Sequence, residues 1–449
     1  MVGMVIKRED FGDKLISDYL EVFDKYSFKN RFYGTFALHT ILGQALKNVY
    51  YKIGRRKIDI RIHFLLIKPQ GTGKGAGFGF CKKLAEWCGL EFCVLTESTD
   101  GGLAGSKKYD PVQKKDIVVP GVLTHADIVA MEEASVLIDL SNEFSKKNMT
   151  YFQITMNPLE DESCFINRVL VGVDVSFKPH SSFLLMSYPP DKLGEKITKT
   201  GFIDRMVADF EDVTLVDRLE VLRKFIENSN LDEKEWLNKE IYVKKRLQYI
   251  VKKFEKGNIC INIDEKVDQA ILQCIDEMAT MILDAAPKAR EKLEHFITRL
   301  YEILVKLSIH HALLSNRTDL RISDVLYARM TYLPVWKNLI ISIESLLIIS
   351  PQERFRKHSI KSQAIKEYKR LLKEGVFIKK NIWVRRLTMV QNLQPKWDNC
   401  SMETADNNLS KLEILPKETY GKFLKVSQHE KEKIFKRRYF GETAYVKMI

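Results

Sequence analysis

Apolar residues divide the chain into stretches of different periodicity. From residue 11 to residue 51 they recur at helical spacing, as in Leu15, Tyr19 and Val22 and again in Phe36, Leu38, Leu42 and Ala45, which predicts two helices. Between about residues 61 and 210, four short apolar runs (64–67, 92–95, 128–131 and 183–186) alternate with helical stretches, the pattern of an α/β layer. From about residue 217 to residue 346 the pattern is almost wholly helical, and residues 353–362 are polar and basic, as in a linker. The remainder reads as a small α+β unit with helices over 363–373, 386–393 and 401–412 and strands over 415–417 and 422–426. Gly375 closes the first of these helices, and Ser401 with Glu403 and Asp406 opens the third. Three helices and a hairpin turning at Thr419, Tyr420 and Gly421 predict a winged helix, a fold that sets its third helix in the DNA major groove. Lys396, Asn407, Asn408, Ser410 and Lys411 lie on or near that helix. The same fold also serves as a protein docking module with a solvated basic face.

Charge sharpens this picture. The net charge is +13, and residues 351–449 hold 23 Lys and Arg against 11 Asp and Glu, so +12 sits in the last fifth of the chain. A polyanion is the expected partner there. An anionic membrane would be another, but the segment shows no amphipathic helix with an aromatic face, which favours DNA. With 449 residues, 45% hydrophobic and 29% charged, the chain has room for two or three domains with their own cores. No apolar run approaches roughly 18 residues, and the opening MVGMVIKRED is short and charged for a signal peptide. The seven cysteines form no C-x-x-C pair, as expected of buried thiols in a reducing cytoplasm.

Candidate chemistry concentrates where the first apolar run meets a glycine loop, RIHFLLIKPQGTGKG. A buried strand over 64–67 leads into Gly71, Thr72, Gly73, Lys74, Gly75 and Ala76, and a helix from about 76 to 87 follows. Glycines let backbone N–H groups turn toward a polyphosphate, Lys74 adds a point charge, and the helix presents its positive end. Against G-x-x-x-x-G-K-[ST], Lys68 replaces the first glycine and Gly75 stands where a hydroxyl would hold Mg2+. Gly75, Gly77 and Gly79 crowd the start of the helix at about 1 kcal/mol each relative to alanine.

A second strand, over 128–131, ends in Glu132 and Glu133, a pair suited to holding the metal and polarising the attacking water, or a solvated strand edge. Arg205, in GFIDRMVADF, is either a surface arginine or a cation for a neighbouring subunit's γ-phosphate. Residues 167–177 alternate Val169, Val171, Val173 and Val175 and bend at Gly172, a hairpin with Arg168 and Lys178 at its margins. Such a hairpin is either purely structural or a DNA-backbone contact inside a ring.

The order of these features resembles the minichromosome maintenance (MCM) branch of the AAA+ ATPases. DIRIHFLLIKPQGTGKG looks like that family's strand and Walker A loop, TESTDGGLAGS like the segment before its helical insert, and PGVLTHADIVAMEEA like the run into its Walker B carboxylates. SSFLLMSYPP falls at the sensor 1 strand, GFIDRM at the arginine finger, and REKLEHFITRL at the sensor 2 helix with Arg290 in the sensor place. The chain departs from the family in having Ser187 and Tyr188 where sensor 1 has asparagine, and in having about 55 helical residues in place of the family's oligonucleotide-binding fold and zinc site. The resemblance implies an α/β AAA+ P-loop core (56–215) with a helical lid (216–346), a short N-terminal helical segment (1–55) and a C-terminal winged-helix domain (347–449). It further implies ATP and Mg2+ as cofactors, with Glu132 on the metal, and Glu132, Glu133, Arg205 and Arg290 as the catalytic set. Expected partners are DNA, further copies of the chain in a hexamer, and replication proteins. This is the pattern of a compact replicative DNA helicase of a mobile element or virus in a prokaryotic host. A hydrolysis-poor, DNA-binding initiator or scaffold fits the altered Gly75 and Ser187.

Overall fold

A computed structural model describes residues 14–27, 31–69, 72, 74–96, 100–110, 115–134, 143–170, 173–189, 202–211, 219, 221, 223, 226, 233–283, 285 and 287–348, together with four strands of a C-terminal unit. The chain divides into two compact units, Met1–Ile348 and Ile349–Ile449.

In the first unit, helix α1 (Lys14–Ser27) buries Leu15, Ile16, Tyr19, Val22 and Phe23, a stripe of the spacing an amphipathic helix needs. At roughly 1.5–3 kcal/mol per fully buried large apolar side chain, that stripe holds in place a helix too short to be stable alone. Helix α2 (Arg31–Ala45) follows and is buried along almost its whole length. The helical pattern expected to continue to residue 51 instead stops there. Strand β1 (Val49–Ile53) turns through Gly54, at φ 58°, into the antiparallel strand β2 (Arg56–Asp59). A left-handed residue at a two-residue turn is what glycine supplies.

Strand β3 (Phe64–Ile67) is buried at all four positions and leads to helix α3 (Lys74–Trp87). Strand β4 (Phe92–Val94), the short helix α4 (Asp100–Ala104), the antiparallel hairpin of β5 (Ser106–Asp110) and β6 (Lys115–Val119), and strand β7 (Ile128–Met131) come next. Helix α5 (Glu143–Thr155) precedes the antiparallel hairpin of β8 (Ile166–Leu170) and β9 (Val173–Phe177), then β10 (Ser182–Ser187) and β11 (Val207–Phe210). Five of these strands form one parallel sheet in the order β11-β3-β10-β7-β4. Unbroken apolar strands fit this sheet because helices cover it, α2 against β3 and β10 among them.

Helix α6 (Glu233–Phe254) is followed by the two-residue strand β12 (Ile259–Cys260), which pairs parallel to β1. Helices α7 (Glu265–Leu283), α8 (Pro287–Leu314) and α9 (Ile322–Ile348) then pack on one another, and α9 also packs on β11. Asp264 accepts the Val267 N–H at 2.8 Å and caps α7. Asn316, at φ 61°, ends α8, with Arg317 N–H reaching back to Ala312 O at 2.9 Å.

An aromatic cluster joins α1, α2 and α3 to the sheet: Phe23 and Tyr33 meet edge to face at 5.2 Å, and Phe36 stacks on Phe64 at 5.4 Å. A β-carbon at Gly77 would stand 2.4 Å from the Tyr33 ring, so this glycine lets the start of α3 close onto it. The local helix cost of Gly77 is thereby offset by tertiary packing. Gly79 meets nothing within 4 Å, and nothing in the structure explains it.

In the second unit, β13 (Val376–Ile378) pairs antiparallel with β14 (Asn381–Arg385), β14 with β16 (Thr443–Val446), and β16 with β15 (Leu424–Val426). The strand expected over 422–426 is present over part of its length as β15, which pairs with the tail strand β16. Period-two patterning marks strand candidates, while the choice of partner is non-local, so the pairing of β15 with β16 was not anticipated. The segment 415–417 and the helices expected over 363–373, 386–393 and 401–412 lie outside the described residues, as do Lys396, Asn407, Asn408, Ser410 and Lys411.

Candidate nucleotide site

The parallel ladder of β3 and β10 runs one bond past the strands: Lys68 N–H donates to Ser187 O at 3.0 Å. Beyond it the chain turns, with the buried Thr72 hydroxyl donating to Pro69 O at 3.0 Å, and α3 starts at Lys74. Gly71 and Gly73 lie outside the described residues, and Ala76 is exposed in the first turn of α3. The Lys74 ammonium donates to Lys68 O at 2.6 Å and Ser187 O at 3.3 Å and sits 3.9 Å from the centre of the Tyr188 ring. It is thus held at the C-terminal end of the sheet, where open α/β sheets bind ligands.

Burial, with Lys68 adding repulsion, brings the Lys74 ammonium down to about 8, against the opposing pull of Glu133 and Glu132. A bound polyphosphate favours the charged form, so its pKa in a complex lies higher. If the loop takes ATP, its affinity is complete below about pH 8 and falls as pH rises through it, with a limiting slope of about tenfold per pH unit. The nucleotide's own terminal phosphate, with a pKa of about 6, stays ionised throughout. Titration of a fluorescent ATP analogue between pH 7 and pH 9.5 checks this. A flat profile contradicts it.

Glu132 and Glu133 are exposed at the end of β7, where Ala134 N–H donates to Met186 O of β10 at 2.6 Å. Strand β10 lies between β3 and β7, so Ser187 stands between the lysine and the carboxylates. The Ser187 hydroxyl donates to Tyr188 O at 2.9 Å, which occupies the donor a sensor residue would use on phosphate. Glu132 also closes on the helix start: a β-carbon at Gly75 would lie 2.6 Å from Glu132 Oε1.

Lys68 does not point at this space. Its ammonium forms an ion pair with Glu211, just after β11. Next to it Asp209 is fully buried, 3.4 Å from the Asn338 amide of α9, and burial with the neighbouring Glu211 pushes its carboxyl up to about 8. Lys68, Asp209 and Glu211 thus connect the loop to α9, a role that sequence reading missed. A charged residue directly after a buried strand was the only local sign.

Arg205 sits at the other end of the sheet. Val207 N–H bonds His63 O at 2.8 Å, so Arg205 lies at the N-terminal edge of β3, roughly 13 Å of strand away from the loop. It lines a cleft of about 50 Å3 with Arg56, Arg299, Glu302 and Lys306. Burial lowers the Arg205 pKa, with Asp204 opposing and Arg299 reinforcing the shift, yet a guanidinium stays charged. The Arg290 guanidinium donates to Leu283 O and to Ala285 O (3.5 Å), bridging the end of α7 to α8, while its buried Nε has no partner among the described residues. The hairpin expected over 167–177 is present as β8 and β9 with Lys178 exposed beside it, while the Arg168 side chain lies outside the described residues. The hairpin of β5 and β6 falls where the family resemblance implied the approach to a helical insert, and it was not anticipated.

Among the described residues no three His, Cys, Asp or Glu side chains gather as a metal cage, and no helix is long and apolar enough to cross a membrane. Mg2+ commonly takes one or two carboxylates together with substrate phosphates, so a pair such as Glu132 and Glu133 beside a desolvated lysine fits a metal-bound polyphosphate. No protein-family model matches the chain, and no curated protein is similar to it. What the geometry establishes is an α/β protein with helices flanking a largely parallel five-stranded sheet, the general arrangement of P-loop nucleotide-binding enzymes.

Proposed function

We propose that this chain is an ATP-dependent DNA motor of the AAA+ class, related to MCM helicases, that works as a ring of identical subunits. One observation carries the reading: a desolvated lysine at the C-terminal end of a central parallel strand faces two carboxylates from the strand two places away. In this reading Lys74 and the N–H groups of the loop hold the phosphates, with Gly71, Thr72, Gly73, Gly75 and Ala76 forming the cradle. Glu132 would hold Mg2+, and the cation would neutralise charge on the phosphates. Glu133 takes the proton of the attacking water. Tyr188, now stacked on the Lys74 ammonium, keeps that cation at the mouth of the loop until phosphate replaces the two carbonyl oxygens.

The position of Arg205 supports a ring. It is too far along the sheet to meet phosphates bound at its own Lys74, so a role in phosphoryl transfer needs the nucleotide of a neighbour. DNA engages the basic C-terminal unit and the hairpin bearing Arg168 and Lys178.

A second reading rests on Ser187, whose hydroxyl is engaged by Tyr188 O and offers no amide to the γ-phosphate. On that reading the chain binds nucleotide and DNA but turns over poorly, as an initiator or scaffold does. ATP hydrolysis with and without DNA, measured alongside particle mass, separates the two. The motor reading expects DNA-stimulated turnover by an oligomer and a loss of about 10³-fold in Arg205→Ala with nucleotide binding intact. A monomer without turnover at any Mg2+ concentration would overturn it.

A further inference from the structure

The start of α3 lacks the hydroxyl that phosphate-binding loops use on Mg2+, and a carboxylate from across the sheet lies over that position. Glu132 Oε1 is 2.6 Å from where a β-carbon of residue 75 would be, closer than any real β-carbon contact allows. A serine or threonine at position 75 would require the exposed end of the Glu132 side chain to swing away from the place it holds here. Aspartate, one methylene shorter, would leave that space open, whereas glutamate fills it with a carboxylate oxygen.

We infer that Gly75 and Glu132 are a matched pair in which the Glu132 carboxylate takes over the position of the missing hydroxyl as well as its own. The inference rests on the nucleotide reading above and specifies how that site holds its cation. One carboxylate, with two oxygens and a net charge, substitutes for a neutral hydroxyl and a shorter acid. Both arrangements supply hard oxygen donors, the only kind Mg2+ accepts readily. Gly75 then leaves the Glu132 carboxylate in place over the helix start, where a side chain at position 75 would push it aside.

The test is a mutational cycle read by binding. The affinity of a fluorescent ATP analogue is measured for the full chain in EDTA and in excess Mg2+, with thermal unfolding in EDTA as the folding control. Wild type should bind more tightly with Mg2+. Gly75→Ser should lose that gain by about tenfold or more, because the new β-carbon displaces the ligand, and Glu132→Asp should lose it similarly, because the shorter arm no longer reaches. Gly75→Ser combined with Glu132→Asp should recover most of the gain, since hydroxyl and shorter acid together rebuild the alternative set. Gly75→Ala with Glu132→Asp should not recover it, which separates a ligand role from simple relief of crowding. Losses that merely add in the Ser/Asp double variant, or a Gly75→Ser protein that binds Mg2+-ATP as well as wild type, overturn the pairing while leaving nucleotide binding in place. A wild-type chain that binds no nucleotide in either condition overturns the pairing and the proposed function together.

Discussion

Lys74→Ala should abolish measurable ATP hydrolysis and weaken nucleotide binding by about 10–100-fold, whereas Glu133→Gln should stop turnover and leave binding near wild type. The first change removes a cation whose hydrogen bonds to phosphate are charge-assisted, worth roughly 1.5–3 kcal/mol. Its effect is larger here than on a solvent-exposed surface because burial has already stripped water from the ammonium, bringing it down to about 8. The second change keeps the shape and hydrogen-bonding reach of Glu133 but removes the base, a step that typically contributes roughly 10²–10⁴-fold. Phosphate release and nucleotide retention on a filter measure the two quantities separately. Full turnover in Glu133→Gln would assign the base elsewhere, and full turnover in both variants would remove the loop from the chemistry.

Arg61→Met should destabilise the first unit by about 3–5 kcal/mol, the cost of breaking a buried charge pair from one side. The Arg61 side chain is only 1% exposed and donates to both Asp59 oxygens (2.8 and 3.3 Å) and to the carbonyls of Thr155, Ser181 and Asn157 at 2.8–3.3 Å. Five hydrogen bonds from one guanidinium tie the approach to β3 to the end of α5 and the start of β10. Burial alone would raise the Asp59 carboxyl, but Arg61 and Lys306 outweigh it and hold it well below the usual carboxylate range. That depression means Asp59 stabilises the fold above about pH 4 and loses the contribution as pH falls further, so the wild-type advantage over Arg61→Met should shrink in acid. Urea unfolding of both proteins at pH 7 and pH 3.5 reads both effects. A difference below about 1 kcal/mol at pH 7 would mean that the site relaxes to let water reach Asp59.

The parts of the site that were legible from sequence are local. Phe64 to Ile67 had to be a covered strand because four consecutive apolar residues leave no face for water, and the glycine loop with Lys74 marked its end. Ile128 to Met131 read in the same way, so Glu132 and Glu133 could be placed at a strand end before their neighbours were known. One other feature misled. Tyr50 and Tyr51 continued a helical spacing but belong to β1, because pairing with β2 and β12 satisfies their backbone in a sheet. Arg290 matched a sensor position in its surroundings, and its guanidinium donates to the carbonyls that end α7 while its buried Nε has no partner among the described residues.

By itself the sequence determined the four apolar strands of the α/β layer and the helical run that follows it, the charge asymmetry of the chain, and the presence of a lysine-bearing glycine loop, because periodicity, charge and turn chemistry act within a few residues. Only the tertiary structure decided that β10 separates the lysine strand from the carboxylate strand, that Lys68 pairs with Glu211, and that Glu132 closes on Gly75. These are contacts between residues tens to more than a hundred positions apart. They are selected by which surfaces can be buried together, a property of the assembled sheet and its covering helices that no local pattern encodes.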